Sequence, residues 1–286
     1  MGSSADAGPR VLVVVADDFG LTPGVCDGIL RAHRDGILTS TSVLANGPAL
    51  EDHSDELRRC GLPAGIHLTL VGEDPPVLEA DAIPTLVDDA GRFPATWKAV
   101  IARFALGRVD PDDVRRELDA QVRRVRELGL TPGHVDTHQH LHLWPAVRDA
   151  VLDVAHREGI DVVRVPASRR IDPASIGVRV LARRLTRAAA DRSFRTAGAS
   201  AGFDGSGSMT THRLVATIEA LAASGSHACE MWTHPGTEDD PARARYRWGY
   251  RWSEELDALC STEAREAVER SGFVLGTYRD IGSTGR

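Results

Sequence analysis

The chain has 286 residues, with 34 Lys+Arg against 41 Asp+Glu and a formal net charge of −7. That length supports a full hydrophobic core, and 42% hydrophobic with 26% charged residues is ordinary globular composition, not disorder. The mild acidity argues against a nucleic-acid partner, and no uncharged apolar run reaches the ~18 residues of a membrane span.

Residues 1–9 are small and polar, without the apolar centre of a signal peptide. They are expected as a disordered tail ahead of a single cytoplasmic domain over 10–286. Residues 11–16 (VLVVVA) are an unbroken apolar run, the signature of a strand buried on both faces. Residues 22–35 read as a helix, with Thr22 as N-cap, Pro23 in the first turn and Gly36 as the stop. A strand over 41–44, a helix over 49–60 closed by Gly61, and a strand over 65–70 follow. Helices over 111–128, 145–158, 209–224 and 261–271 then alternate with strands over 133–138, 162–165, 229–233 and 273–278. Such alternation implies parallel strands with right-handed crossovers. At about seven strands, a closed or nearly closed β/α barrel is expected over an open doubly wound sheet. Residues 71–109, 168–208 and 236–253 fit no repeat unit and read as insertions that build a substrate site. The four cysteines, Cys26, Cys60, Cys229 and Cys260, show no metal-ligand spacing and are expected as reduced thiols.

Catalytic side chains of a β/α barrel sit at the C-terminal ends of its strands. Here the first strand ends in Asp17-Asp18, the third carries His67, and the fourth carries His134, Asp136 and His138, followed by His140 and His142. Arg164, Glu230 and His234 lie at later strand ends. Adjacent strand residues point opposite ways, so two neighbouring aspartates can share a site only if the strand bends there, and Gly20 permits a bend. The turn-capping alternative for Asp17-Asp18 is less compatible with two acids after a buried strand. A titratable residue at every second position from 134 to 142 would share one face of an extended chain. Metal binding is the natural reason for so many histidines, although the strand must end near His138 for the helix at Pro145 to begin. Asp18, His67 and His138 make a three-ligand open metal site for one divalent ion, and two imidazoles favour zinc over magnesium. His67 taken alone would read as a core histidine. Pro235 and Gly236 hold His234 at the rim. Arg164, charged within an apolar strand, needs an acid partner inside the barrel, and Asp17 is the best candidate.

These motifs, ADDFG (16–20), LTSTS (38–42), GIHLTL (65–70), HVDTHQHLH (134–142), RVP and THPG, occur in that order, and the chain resembles the YdjC-like carbohydrate deacetylases from about residue 10 to its end. Length, the IPTLVD stretch at 83–88 and the Arg-rich insertion are most similar to the hopanoid-biosynthesis-associated branch. The resemblance implies a deacetylase-type barrel that hydrolyses an N-acetyl group from an amino sugar. It implies Asp18, His67 and His138 as metal ligands, Asp17 as base and His234 as acid, with Arg164 counted among the catalytic groups. His140, Glu230, Trp248 and Trp252 are the expected substrate contacts. Tyr246, Trp248, Tyr250 and Trp252 alternate with Arg245, Arg247, Gly249 and Arg251, a pattern suited to stacking on sugars or to a dimer arm. A homodimer is expected. Two rival readings are a metal-dependent sugar phosphoesterase, which would want more acids at the strand ends, and a non-catalytic carbohydrate-binding barrel. Finally, residues 168–196 hold eight arginines and two aspartates, a local net charge of +6. The helix expected there either packs its apolar side on the barrel or lies on an anionic membrane to present a glycolipid head group.

Overall fold

The computed structural model describes residues 9–282. The expected tail therefore lies, but for Pro9, outside the described residues. Seven parallel strands, β1 (Arg10–Phe19), β2 (Ser40–Val43), β3 (Ala64–Leu68), β4 (Val135–Thr137), β5 (Ala199–Ala201), β6 (Ala228–Thr233) and β7 (Phe273–Leu275), form one sheet. Its order is β4-β3-β2-β1-β6-β5, with β7 paired to the first residues of β1. The outer layer is α1 (Pro23–Asp35), α2 (Leu50–Cys60), α3 (Trp97–Ala105), α4 (Pro111–Glu127), α5 (Pro145–Arg157), α6 (Pro173–Asp191), α7 (Thr211–Ala222), α8 (Trp252–Cys260) and α9 (Thr262–Arg270).

The two ends of the sheet meet through residues 162–165. Val163 bridges Val135 of β4, Val162 bridges Arg195 just before β5, and the Ser200 hydroxyl of β5 donates to the Val165 carbonyl at 2.7 Å. The fold is thus a nearly closed parallel α/β barrel, as expected from the alternation of strands and helices. The strand expected over 162–165 is reduced to these isolated bridges, in which the Val135 N–H donates to the Val162 carbonyl and the Arg164 N–H to the Val135 carbonyl.

β1 shows how sequence sets the two faces. Leu12, Val14 and Ala16 join the large core beneath the helices, whereas Val13 and Val15 pack inward with Val162, Trp232, Tyr278 and Ile281. This is the period-two alternation of a strand covered on both sides. Each fully buried Val contributes roughly 1.5–3 kcal/mol over exposure. Asp17 is next in the inward register.

Most helix signals hold. The Thr22 hydroxyl accepts from the Val25 N–H with Pro23 in the first turn, and the Asp110 carboxylate caps α4 through the Asp112 N–H. Three readings change. The 71–109 stretch contains α3, whose Thr96 cap accepts from the Ala99 N–H. The 168–208 stretch holds, after the helix expected there (α6), the strand β5, which was not expected. The final strand stops at Leu275, and Tyr278 turns inward on a short 3-10 segment instead of continuing it.

Candidate active site

The C-terminal ends of the strands gather the polar residues. β1 carries both aspartates there because Asp18 adopts a left-handed backbone, φ 68°. The pairing with β2 slips between Ala16 and Phe19 at the same place. The bend thus falls on Asp18 itself, two residues before the expected Gly20. It breaks the alternation, so two adjacent carboxylates enter one site.

Asp17 receives two hydrogen bonds from the Arg164 guanidinium, at 2.7 and 2.8 Å, the pair expected from the sequence. The same guanidinium lies 2.6 Å from Asp136 Oδ2. Ser42 Oγ donates to that oxygen at 2.9 Å and sits 2.9 Å from His134 Nε2. Asp136 Oδ1 contacts His67 Nδ1 at 2.7 Å. Gly65 is required beneath this cluster, because a Cβ there would lie 2.1–2.3 Å from the His134 ring. Burial works against a charge on His67, but Asp136, Asp17 and Asp18 together outweigh it and raise the imidazole to about 9. Burial dominates at His134 and His142, which fall to about 3 and about 4 and are neutral.

With Nδ1 held by Asp136, His67 turns Nε2 toward Asp18 Oδ1, 3.5 Å away. His138 Nδ1 lies 3.2 Å from the same oxygen. Asp18 Oδ1 is buried and has no hydrogen-bond partner. Burial opposes ionisation of Asp18, and the neighbouring His138, His67 and His234 override it, so its carboxyl sits below the usual range. Asp18, His67 and His138 each offer one donor atom, all within 4.8 Å of one another. One carboxylate and two imidazoles, one of them oriented by a second carboxylate, is a donor set that fits a divalent transition ion. Asp17, His67 and Asp136 also lie within 4.8 Å of one another, but Arg164 already neutralises both of those carboxylates.

Asp17, His67 and His138 reach a cavity of about 390 Å³ that His140, His234, Trp248, Tyr250, Phe203 and Trp97 also line. His234 Nδ1 and His140 Nδ1 are buried there without partners. Glu255 of α8 anchors His234 by accepting its backbone N–H together with that of Met209. Its carboxyl lies 3.9 Å from His234 Nδ1, and burial raises its pKa. Trp248 stands 5.2 Å from the His138 ring, Tyr250 stands 4.7 Å from His234, and Trp97 stacks on Trp144 at 5.8 Å. The aromatic strap is clasped to the 73–74 loop. Tyr246 OH donates to Asp74 at 2.8 Å, and Trp248 Nε1 donates to Glu73 at 3.0 Å.

Some expected site residues take other places. The five titratable groups of 134–142 do not share a face, because Gln139 and His140 turn left-handed, with φ 51° and 53°. His142 is buried between Thr137 and the Arg164 carbonyl. Arg164 is fully buried behind Asp17 and does not line the cavity. Glu230 lies deeper in the barrel, bonded by Tyr278 OH at 2.6 Å, and burial lifts its carboxyl to about 7. Trp252 packs beneath Trp248 and Tyr250 rather than on the cavity. Glu255, Phe203 and Trp97 join the site without being expected from the sequence, and Asp136 and Tyr250 take part in it without having been assigned a role there. Asp136 had a signal in its period-two place between His134 and His138.

The fold and its rim define a parallel β/α barrel with a buried carboxylate–imidazole cluster at the C-terminal ends of its strands. Residues 11–270 match the family described as YdjC-like protein, and the chain belongs to that family. It is 32% identical over 275 residues to a chitooligosaccharide deacetylase of Klebsiella pneumoniae (strain 342), covering 95% of this chain and 99% of the relative. It is 33% identical over 278 residues to a carbohydrate deacetylase of Geobacillus stearothermophilus, covering 96% and 98%. A solved structure from Enterococcus faecalis, assigned to cellobiose-phosphate cleavage, superposes with a TM-score of 0.80 at 26% identity, covering 96% of this chain and 100% of that one.

Proposed function

We propose that the protein is a metal-dependent carbohydrate N-deacetylase that hydrolyses the acetamide of an N-acetylated amino sugar and releases acetate. The observation that carries the reading is the unpartnered, buried Asp18 Oδ1 facing one nitrogen each of His67 and His138, beside a cavity that both Asp17 and His234 line. The deacetylase names of relatives above 30% identity support the same reaction class.

Asp18, His67 and His138 would hold the ion, and their two imidazoles favour zinc over magnesium. When bound, such an ion polarises the acetamide carbonyl and acidifies a water. Asp17 takes the proton from the attacking water, and Arg164 fixes the orientation of its carboxylate through both oxygens. Asp136 holds the His67 ring so that Nε2 faces the ion position. His234, set by Glu255, delivers a proton to the departing amine, which is otherwise too poor a leaving group. Trp248 and Trp97 offer apolar faces for sugar rings on the cavity wall.

Acetate release from N-acetylated chitooligosaccharides and from simpler N-acetyl glycosides, before and after chelation, tests the reading. Phosphate release from a sugar phosphate without acetate release would assign a phosphoesterase instead. Sugar binding without turnover would leave a carbohydrate-binding barrel.

A further inference from the structure

Three of the seven large hydrophobic side chains exposed among the described residues cluster at one place: Ile171, 92% exposed, Ile176, 49%, and Val180, 42%. Ile176 and Val180 continue along α6 into Arg183, Arg184 and Arg187, at helical spacings of four, seven, eight and eleven residues from Ile176. That spacing forms a single stripe. The opposite face, Ser175, Ala182, Leu185, Ala188 and Ala189, is the one buried against the barrel. Of the apolar residues of α6, Leu185 is fully buried and Val178 and Leu181 pack half-buried against the core, whereas Ile176 and Val180 point away from it.

The charge of this stretch is also sorted by the structure. Arg170 pairs with Asp172, Arg192 with Asp149 and Asp153, and Arg195 with Asp161. The Arg179 guanidinium donates to the Ser168 and Arg170 carbonyls. Arg183, Arg184 and Arg187 make no ion pair or side-chain hydrogen bond among the described residues. Three uncommitted guanidinium groups thus follow an exposed apolar wedge on one helix face, in a chain whose net charge is −7.

α6 packs against the 138–143 turn that carries His138 and His140. Its first turn follows Ser168 and Arg169, which bond Asp204 beside the cavity-lining Phe203. The wedge therefore lies at the same end of the barrel as the cavity. We infer that the exposed face of α6, with Ile171, is a peripheral docking surface for an anionic lipid bilayer, and that docking holds the cavity mouth near the head-group layer. Aliphatic side chains at the interface plane beside a basic stripe suit a lipid surface. A nucleic-acid surface would pair the arginines but leave Ile171, Ile176 and Val180 in water. The inference does not rest on the chemistry proposed for the site.

Vesicle flotation of the full chain tests it, with phosphatidylglycerol–phosphatidylcholine vesicles against pure phosphatidylcholine, at low salt and at about 150 mM. The protein floats with the anionic vesicles, more at low salt, and not with the neutral ones. R183E/R184E/R187E lowers the partition coefficient by at least about a hundredfold, since each basic residue lost near an anionic surface is worth roughly fivefold and each glutamate adds repulsion. I171S/I176S/V180S lowers binding at both salt concentrations. Neither variant changes acetate release from a soluble substrate, so a failure of the docking surface and a failure of the deacetylase reading are separately visible. Wild-type protein that stays unbound at low salt overturns the inference. So does an R183E/R184E/R187E variant that floats like wild type. Dimers in sedimentation that I171S/I176S/V180S dissolves, without vesicle binding, would assign the face to a second copy of the chain.

Discussion

Replacing Arg164 with methionine removes the one guanidinium that neutralises two buried carboxylates. Arg164 is 0% exposed, Asp17 is 1% exposed and Asp136 is 0% exposed. The lost contacts are two hydrogen bonds to Asp17, at 2.7 and 2.8 Å, and the 2.6 Å approach to Asp136. Breaking a buried ion pair by deleting one partner costs roughly 3–5 kcal/mol. For a chain of this size that lowers the Tm by about 10 °C. The deficit depends on pH. Burial opposes the Asp136 charge, and Arg164 is the largest influence overcoming it, so the Asp136 carboxyl lies well below its ordinary range. A carboxyl depressed on folding contributes stability that is present above its unfolded pKa, about 4, and is lost as pH falls below it. Without Arg164 the Asp136 carboxyl takes up its proton at a higher pH than in wild type, so the gap in Tm is wider at pH 7 and narrows on acidification toward about pH 3, as the variant is relieved of the buried charge before wild type is. Thermal unfolding of both proteins across that range, followed by circular dichroism, measures it. An unchanged Tm at pH 7, or a gap that does not narrow in acid, would refute the account of the buried network.

Asp17→Asn keeps the metal, because Asp17 is outside the ligand set, and lowers turnover by at least about a hundredfold through loss of the base; metal analysis beside acetate release reads both. His234→Ala hurts substrates with poor amine leaving groups most, and an equal loss across a leaving-group series would assign His234 to binding instead. Glu230→Gln changes the pH dependence of stability. Burial raises the Glu230 carboxyl from 4.5 to about 7 in the folded chain, against the opposing pull of Arg164 and Tyr278. The folded state therefore holds a proton that the unfolded state releases between those values. Stability falls as pH rises through that window, by about 3 kcal/mol in all. The Gln variant loses this decline, so its Tm changes less than that of wild type between pH 5 and pH 8.

What could be read from the sequence was what local chemistry dictates. The apolar run of β1, the Thr22-Pro23 helix start, and the need of Arg164 for an acid partner follow from residue type and position, and the structure has all three. Asp18, His67 and His138 were legible as strand-end residues, and the structure brings their donor atoms together. The left-handed turn at Asp18 was not legible, since nothing but its two-acid context marks an aspartate for positive φ. Period-two counting failed after Thr137 because it assumes extended backbone, and Gln139 and His140 leave it. Glu230 and Trp252 carry the composition of a sugar site but serve the interior, where Tyr278 and the aromatic strap cover them. Tyr278 enters the barrel from the chain end, a long-range contact without a local sequence signal. α3 was within reach, since Thr96 as cap and Val100, Ile101 and Phe104 at helical spacing carry the pattern.

The central claim is that Asp18, His67 and His138 hold the ion on which acetate release depends. Metal content by mass spectrometry, taken on the same samples as acetate release from an N-acetylated chitooligosaccharide, tests it for wild type and His138→Ala. The account predicts one bound divalent ion in wild type, activity that chelation abolishes and zinc restores, and neither ion nor activity in His138→Ala. Full metal occupancy in His138→Ala, or acetate release that survives complete chelation, would contradict it.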